Sequence, residues 1–206
     1  MSGLLLDSTN PNAIIDAVRA KFKLRDMVIR AAALYADGEW PAPPAAFSML
    51  HRLGVKTADI TVTGNPAIKA AKIASDVEPG NLTPGAAAKW AEEERAAGEW
   101  PVLYVNRDNK GDTISACLAL SLEPAKHFGL WVATLDGTFT DKNGADLRHE
   151  PGVVAVQAFG TKLIGIDADA SVLTALGDNW LGLAPTWEAE AHALAVELAD
   201  LLGKHA

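Results

Sequence analysis

The chain has 206 residues, of which 49% are hydrophobic and 21% are charged, and its formal net charge at pH 7 is -8. This composition predicts one globular domain with a substantial core, and the negative charge without a basic run argues against a nucleic-acid-binding surface. The single cysteine excludes an intramolecular disulfide. We find neither a signal-peptide pattern nor an apolar run of membrane-spanning length, so we expect no membrane among the partners. Because of the negative charge, we expect no nucleic acid either.

The first half of the chain alternates short apolar runs with helical patterns. Residues 4–6 are a strand candidate that ends at Asp7, and a helix capped by Asn10 begins at Pro11. Residues 27–35 are a second buried strand candidate. They are followed by a proline-rich loop that contains Trp40, a short helix over residues 47–53 and a β-rich segment over residues 57–63.

An acidic segment, residues 75–80, follows a predicted short strand over residues 70–74. Residues two apart in a strand face the same side, so Asp76 and Glu78 are expected side by side, and a proline and a glycine end the ladder after them. Parallel α/β folds bind ligands at this end of their strands. Two close carboxylates do not titrate alike, because repulsion and burial raise the pKa of one of them, as a general acid needs. The alternative is a solvated acidic turn before a helix.

The second half contains the clearest helix of the chain and further strands. Thr83 caps this helix, Pro84 occupies its first position and Gly98 lies just past its end. Later strands are predicted at residues 101–105, 127–133, 153–159 and 162–166, with a helix at 114–122. The last segment, residues 187–202, carries an apolar stripe typical of an amphipathic helix.

About eight short apolar strands that alternate with helices predict an α/β fold whose parallel sheet is buried on both faces. We predict a single (β/α)8 TIM-like barrel, irregular or degenerate in its second half, where the connections are too short for full helices. An open flavodoxin-like or Rossmann sheet is the alternative, but its glycine-rich phosphate-binding motif is missing from the sequence. The barrel is expected over residues 1–183, and residues 184–206 are expected to form a C-terminal amphipathic helix on the barrel or on a partner.

Acidic and polar side chains follow the predicted strands at the ends that a barrel brings to one mouth: Asp7, Asp37, Asp76, Glu78, Asn106, Asp167 and Asp169. Glycoside hydrolysis needs such a set, because one acid with a raised pKa protonates the leaving oxygen and a second carboxylate stabilises or attacks the oxocarbenium-like centre. Trp40 and Trp131 lie near strand ends, where stacking on a sugar and packing in the core are competing interpretations. The five histidines are scattered, so we expect no metal and no other cofactor.

These motifs resemble those of glycoside hydrolase family 25, the lysozyme-type N-acetylmuramidases of phages and bacteria. The resemblance covers roughly residues 4–183 and is carried by L-L-L-D-S, D-V-E-P-G, P-V-L-Y-V-N, G-L-W-V-A, V-A-V-Q and I-D-A-D. The D-V-E-P-G segment with the helix after it is the specific part, and it looks like the abbreviated version encoded by actinobacterial phages. The resemblance implies a (β/α) barrel that acts on peptidoglycan or another cell-surface glycan.

Carried over by motif, the resemblance makes Glu78 the general acid and Asp76 its supporting carboxylate. Asp7 and Asp167 match the acidic residues of the first and last strands, which complete the catalytic set. The substrate-binding residues expected around them are Asp37, Tyr104, Asn106, Trp131, Gln157 and Asp169.

The chain departs from the family pattern in two places. The enzymes' Asp-Val-Ser followed by Gln and Trp is reduced to residues 7–9, and Ala158-Phe159 replaces the Tyr expected after the seventh-strand Gln. Two hypotheses follow: a peptidoglycan muramidase, or a catalytically weak or inactive barrel that serves as a structural or adhesion protein of a phage virion. In the second, residues 187–202 dock on other phage structural proteins. The resemblance places the protein in the virion or in the host cytoplasm before lysis.

Overall fold

The computed structural model describes residues 3–65 and 72–183. In chain order the elements are β1 (Leu4–Ser8), α1 (Pro11–Arg19), β2 (Lys23–Leu24), β3 (Met27–Tyr35), α2 (Pro44–Arg52), β4 (Lys56–Thr61), β5 (Ile73–Val77), α3 (Pro84–Ala96), β6 (Val102–Asn106), α4 (Lys110–Ala119), β7 (Gly129–Ala133), β8 (Val153–Phe159), α5 (Thr161–Ile164), β9 (Asp169–Leu173) and α6 (Ala175–Trp180), with a 3-10 turn at Leu147–His149 before β8. None of these helices is long and apolar enough to cross a membrane.

Eight of the strands close into a barrel, because β1 pairs with β3 on one side and with β9 on the other. The remaining strand, β2, forms only a two-residue antiparallel hairpin with β3. Strands β1 and β3 to β8 run parallel to one another, and β9 runs antiparallel to both of its neighbours. The structure therefore confirms the predicted (β/α)8-like barrel and excludes the open sheet.

Side chains alternate between the inside and the outside of the barrel along each strand. In β1, Leu4 and Leu6 pack outwards in the cluster that contains Ile14 of α1, whereas Leu5 belongs to the cluster inside the barrel. Alanines dominate the inner cluster, and Trp131 and Trp180 are its largest members. This alternation directs the polar residues near the carboxyl ends of the strands into the same interior.

The helix after the acidic segment forms as its capping signals predict. Thr83 is the N-cap, and its Oγ1 accepts a hydrogen bond of 3.3 Å from the backbone N–H of Ala86. Pro84 occupies the first helical position, and Gly98 follows the end with a φ of +89°, a conformation that glycine adopts without strain. Trp90 on the buried face of α3 packs on the outer surface of the barrel with Ile73 and Val77.

The predicted strand at residues 162–166 is wrong. Residues 161–164 form the short helix α5, in which Leu163 is 54% exposed, and the last strand begins only at Asp169. The connection from β8 to β9 is too short for the crossover that a parallel pair requires, so the chain turns back and β9 enters the sheet antiparallel. The barrel is thus irregular in its second half, as expected. The predicted helix at residues 187–202 and the start of the predicted strand at residues 70–71 lie outside the described residues.

Candidate active site

Four carboxyl groups meet at one end of the barrel, contributed by Asp7 of β1, Asp76 of β5, Glu78 just after β5 and Asp169 of β9. The first two lie near the carboxyl ends of parallel strands. Asp169 reaches the same end because β9 is antiparallel, which places its first residue opposite Asp7. The charges of the other three all raise the pKa of Asp7, so the four groups form one electrostatic cluster.

Asp7, at the carboxyl end of β1, is a deeply buried member of this cluster. Only 6% of its surface is exposed, and burial is the main reason why its pKa lies well above the usual range. The negative charge of Asp169 raises it further, whereas a hydrogen bond from Gln157 Nε2 to Asp7 Oδ1, 2.7 Å long, acts in the opposite direction. Burial and like charge therefore favour the protonated form of Asp7.

Asp76 lies inside the barrel one strand position before the end of β5. It is 2% exposed, and burial together with the charge of Glu78 raises its pKa to about 7. Asn81 opposes this shift, because its Nδ2 donates a hydrogen bond of 2.9 Å to Asp76 Oδ2. The other oxygen, Oδ1, is buried and has no hydrogen-bond partner among the described residues. A neutral Asp76 thus has a free polar atom in the interior of the site.

Glu78 is half-buried, as Asp169 is, and it follows its strand rather than lying within it. Burial raises its pKa, and the charge of Asp169 adds to this effect. It lines a pocket of about 190 Å³ together with Thr9, Tyr35, Asp37, Glu39, Trp40, Val62, Asp76 and Asn81. A carboxylic acid that keeps its proton at higher pH and faces an open pocket can donate that proton to a bound molecule.

Asp37 stands at the pocket wall, and its carboxylate joins the ends of β3 and β4. It accepts hydrogen bonds from Thr61 Oγ1 at 2.6 Å, from the backbone N–H of Val62 at 2.7 Å and from Thr63 Oγ1. Burial alone would raise the pKa of Asp37, but these hydrogen bonds outweigh it and hold the pKa below its usual value. Asp37, which we predicted as substrate-binding, is a charged clamp between two loops of the site.

Asp167, predicted as a catalytic residue, does not join the cluster. Its side chain is exposed, and Oδ2 accepts a hydrogen bond of 2.9 Å from Asn10 Nδ2. It lines a different pocket, beside α1, with Asp16 and Phe22. The last strand begins at Asp169, after the segment 162–166 that the sequence analysis predicted as a strand, so Asp169 occupies the place at the mouth that the sequence analysis assigned to Asp167. Asp169 also accepts hydrogen bonds from the backbone N–H and Oγ1 of Thr161, at 2.7 and 3.0 Å.

Three of the predicted substrate-binding residues are buried inside the barrel: Tyr104 is 8% exposed, and Trp131 and Gln157 are completely buried. Trp131 donates a hydrogen bond of 2.7 Å to Ser171 Oγ and packs edge-on against Tyr104, with ring centroids 5.2 Å apart. This geometry decides between its two interpretations in favour of packing. Asn106 serves its own loop, because its Oδ1 accepts from the backbone N–H groups of Asp108 and Asn109.

The site also contains residues that the sequence analysis missed or left open. Tyr35 ends β3 on the same inward alternation as Ala31 and Ala33, and burial with the surrounding carboxylates raises its pKa. The position of Tyr35 at the end of a buried strand was the sequence feature that could have predicted it as a site residue. Asn81 had no signal, because its contact with Asp76 depends on the turn after β5. Trp40 is 58% exposed at the pocket, where stacking on a ligand is open to it.

Residues 3–65 and 72–183 contain no group of three or more His, Cys, Asp or Glu side chains arranged to hold a metal ion. The chemistry that this arrangement supports directly is proton transfer. Burial and neighbouring negative charge raise the pKa values of Asp7, Asp76 and Glu78, so these three acids hold their protons to higher pH than an exposed carboxyl group does. The cluster can therefore place a proton next to a carboxylate, which are the two groups that acid-catalysed cleavage of a glycosidic bond requires.

The barrel has the fold of the GH25 lysozymes. The particular structures it resembles are an uncharacterized B. stearothermophilus protein solved at 1.07 Å, with a TM-score of 0.60 at 14% identity over 87% of this chain and 99% of that one, and a family GH25 lysozyme from Aspergillus fumigatus, with a TM-score of 0.57 at 12% identity over 90% of this chain and 100% of that one. A muramidase from Trichobolus zukalii matches with a TM-score of 0.50 at 12% identity over 88% and 98% of the two chains. No protein-family model and no curated protein matches the sequence.

Proposed function

We propose that the protein is a peptidoglycan-cleaving glycoside hydrolase of the muramidase type, with Glu78 as its general acid. The observation that carries this proposal is the cluster of four carboxyl groups at the mouth of the barrel, in which the half-buried Glu78 lines the pocket and has a raised pKa. The solved structures of similar fold include a lysozyme and a muramidase, which supports a glycan strand as the substrate.

Glu78 is the best placed of the four acids for proton donation. Asp76 also borders the pocket, but it is 2% exposed and tied to Asn81, and Asp7 is 6% exposed and tied to Gln157. The glycosidic oxygen of a bound strand must lie within hydrogen-bond distance of the donor. Glu78 is half-buried, and no hydrogen bond from the described residues holds its carboxyl group, so it is free to meet that oxygen.

The proposed reaction begins when protonated Glu78 transfers its proton to the glycosidic oxygen as the bond from this oxygen to the anomeric carbon breaks. The positive charge that develops on the sugar is stabilised by an ionised neighbour in the cluster, for which Asp76 and Asp169 are the candidates. Water supplies the hydroxyl group of the new reducing end, and its remaining proton returns to Glu78. Asp169 takes the part that the sequence analysis gave to Asp167.

The experiment is hydrolysis of purified peptidoglycan by the wild type and by Glu78→Gln, measured as new reducing ends between about pH 4 and pH 8, the range in which a carboxylic acid operates. Reduction with borohydride followed by sugar analysis identifies the new ends, and a muramidase produces N-acetylmuramic acid there. We expect no activity and an unchanged melting temperature in Glu78→Gln, and full activity in the control Glu92→Gln on the exposed face of α3. A wild type that releases no reducing ends at any pH in this range contradicts the proposal.

A second candidate function is a catalytically inactive barrel that binds a surface glycan as part of a phage particle. It is favoured by the size of the pocket, about 190 Å³, which is smaller than the roughly 300 Å³ at the lower end of most ligand sites. Under this alternative, the protein sediments with insoluble peptidoglycan without cleaving it. Deletion of residues 187–206 tests the proposed docking on other phage structural proteins: loss from the particle with the fold intact supports docking, and unfolding supports a barrel helix.

A further inference from the structure

A hydrogen-bonded chain of three buried side chains leads from the barrel interior to the acidic cluster. The hydroxyl of Tyr104 donates to Gln157 Oε1 at 2.6 Å, and Gln157 Nε2 donates to Asp7 Oδ1 at 2.7 Å. The three residues come from β6, β8 and β1, which are far apart in the sequence. Gln157 is completely buried, so these hydrogen-bonded side chains cannot bind a substrate themselves. They hold the carboxyl group of Asp7 through its hydrogen bond with Gln157.

The direction of the Gln157 amide is decided by Tyr104. Burial raises the pKa of Tyr104, and the nearby carboxylates raise it further, so the phenol is neutral and its O–H hydrogen needs an acceptor. Gln157 Oε1 is the only acceptor of that hydrogen among the described residues. If the amide were reversed, a buried O–H group would lose its partner at a cost of about 1–3 kcal/mol. The N–H side of Gln157 is therefore directed at Asp7.

This direction determines which oxygen of Asp7 can hold a proton. Oδ1 accepts the N–H of Gln157, so a proton on Oδ1 would face another hydrogen, and only Oδ2 remains. Oδ2 accepts no hydrogen bond from a described residue. The titratable groups that face Asp7 are Asp169 of β9, Asp76 and Glu78 at the end of β5, and Tyr35 and Tyr104, and every charge among them is negative. Such surroundings favour a neutral Asp7.

We propose that Tyr104 and Gln157 are positioning residues, which hold Asp7 with Oδ1 against the amide and with Oδ2 as a hydrogen-bond donor to an oxygen of the bound sugar. This role rests on the proposed function, since the sugar is its acceptor. A neutral carboxyl group that donates to a substrate oxygen does so without adding another negative charge to the cluster. Asp7 is then a recognition group next to Glu78, and neither the nucleophile nor the stabilising anion.

The experiment is infrared difference spectroscopy of protein labelled with ¹³C in the aspartate side-chain carboxyl groups, recorded at pH 7. The band of a protonated carboxyl group that disappears in Asp7→Asn belongs to Asp7. In the protonated carboxyl group of Asp7, the C=O bond is the bond to Oδ1. The hydrogen bond from the Gln157 N–H to Oδ1 weakens it. In Gln157→Leu that donor is absent, so the band should move to higher wavenumber. In Tyr104→Phe the amide can turn and accept from Asp7 instead, so the band should change its position.

Ser171→Ala is the matched control, because it removes a buried hydroxyl that accepts from Trp131 and, among the described residues, has no hydrogen bond to Asp7. In this variant the Asp7 band should stay in place. Tyr104→Phe keeps the ring against Trp131 and decides the test even if Gln157→Leu fails to fold. An unchanged band in Tyr104→Phe, or no protonated Asp7 band in the wild type, overturns the proposal. The spectra need no activity, so they are independent of whether peptidoglycan is hydrolysed. If the wild type is active, Tyr104→Phe should also lose about tenfold or more in turnover.

Discussion

Asp7 of β1 and Asp169 of β9 lie directly opposite each other in an antiparallel strand pair, inside the mouth of the barrel. Side chains opposite each other in such a pair have Cβ atoms about 5 Å apart, and two like charges at that distance destabilise the pair. The repulsion is relieved when Asp7 holds a proton, and burial together with the charge of Asp169 raises the pKa of Asp7. The reversed last strand thus creates the acidic cluster.

Asp167 and Asp169, which lie just before β9 and at its first position, provide a direct test of this geometry. Asp169→Asn removes the charge opposite Asp7, so the pKa of Asp7 should fall and hydrolysis should decrease strongly. Asp167→Asn changes an exposed side chain whose hydrogen-bond partner in the described part of the chain is Asn10, and it should leave hydrolysis within about twofold of the wild type. Peptidoglycan hydrolysis with both variants measures the difference. A larger loss in Asp167→Asn than in Asp169→Asn would contradict the placement of the last strand.

The raised pKa of Asp76 makes the folded protein less stable as the pH rises. The folded state binds the proton with a pKa of about 7 against 3.8 for the ordinary group, so between these values the native state holds more protons than the unfolded state. The free energy of unfolding should therefore fall from about pH 4 to pH 7, with a contribution from Asp76 of at most about 4 kcal/mol.

Asp76→Asn should flatten this fall, because asparagine does not titrate and can still accept from Asn81. Urea denaturation at several pH values measures the slope, and Glu92→Gln is the control that should keep the wild-type slope. An equally steep fall in Asp76→Asn would mean that other groups carry the pH dependence. Groups with lowered pKa, such as Asp146 at about 2, affect stability in the opposite direction and only at lower pH.

The Asp37 clamp should contribute to stability through its three hydrogen bonds. Asp37→Ala leaves Thr61, Val62 and Thr63 without their acceptor and should lower the free energy of unfolding by about 1–3 kcal/mol. Asp37→Asn keeps an oxygen for the N–H of Val62, and threonine hydroxyls can donate or accept, so it should cost less. Chemical denaturation gives the order of the two variants. Equal stability of all three proteins would mean that the clamp is unimportant.

Substitution of an exposed tryptophan should weaken glycan binding, whereas substitution of a buried tryptophan should lower the melting temperature. Trp40→Ala removes a ring that is 58% exposed at the pocket and should weaken glycan binding by about tenfold with little change in melting temperature. Trp131→Phe removes the hydrogen bond to Ser171 inside the barrel and should lower the melting temperature. Binding to soluble glycan fragments and thermal unfolding separate the two effects. Normal binding in Trp40→Ala would leave this tryptophan without a part in the site.

Much of the fold followed from local patterns in the sequence. Short apolar strands alternating with capped helices indicated the barrel, and the two-residue spacing of Asp76 and Glu78 placed both acids on one side of the chain. The helix begun by Thr83 and Pro84 formed as predicted. These features depend on neighbouring residues and on backbone geometry, which is why the sequence alone was sufficient.

The tertiary structure decided which of the candidate residues meet. Asp169 rather than Asp167 enters the cluster because a short connection reverses β9, and a one-dimensional pattern does not contain the direction of the last strand. The sequence analysis predicted Trp131 and Gln157 as substrate-binding residues, but closure of the barrel buries their side chains completely. By itself, the sequence determined the barrel and the D-V-E segment at its mouth. The closure of β9 against β1 decided which acids surround that segment and which side chains hold them, because both depend on packing between strands distant in sequence.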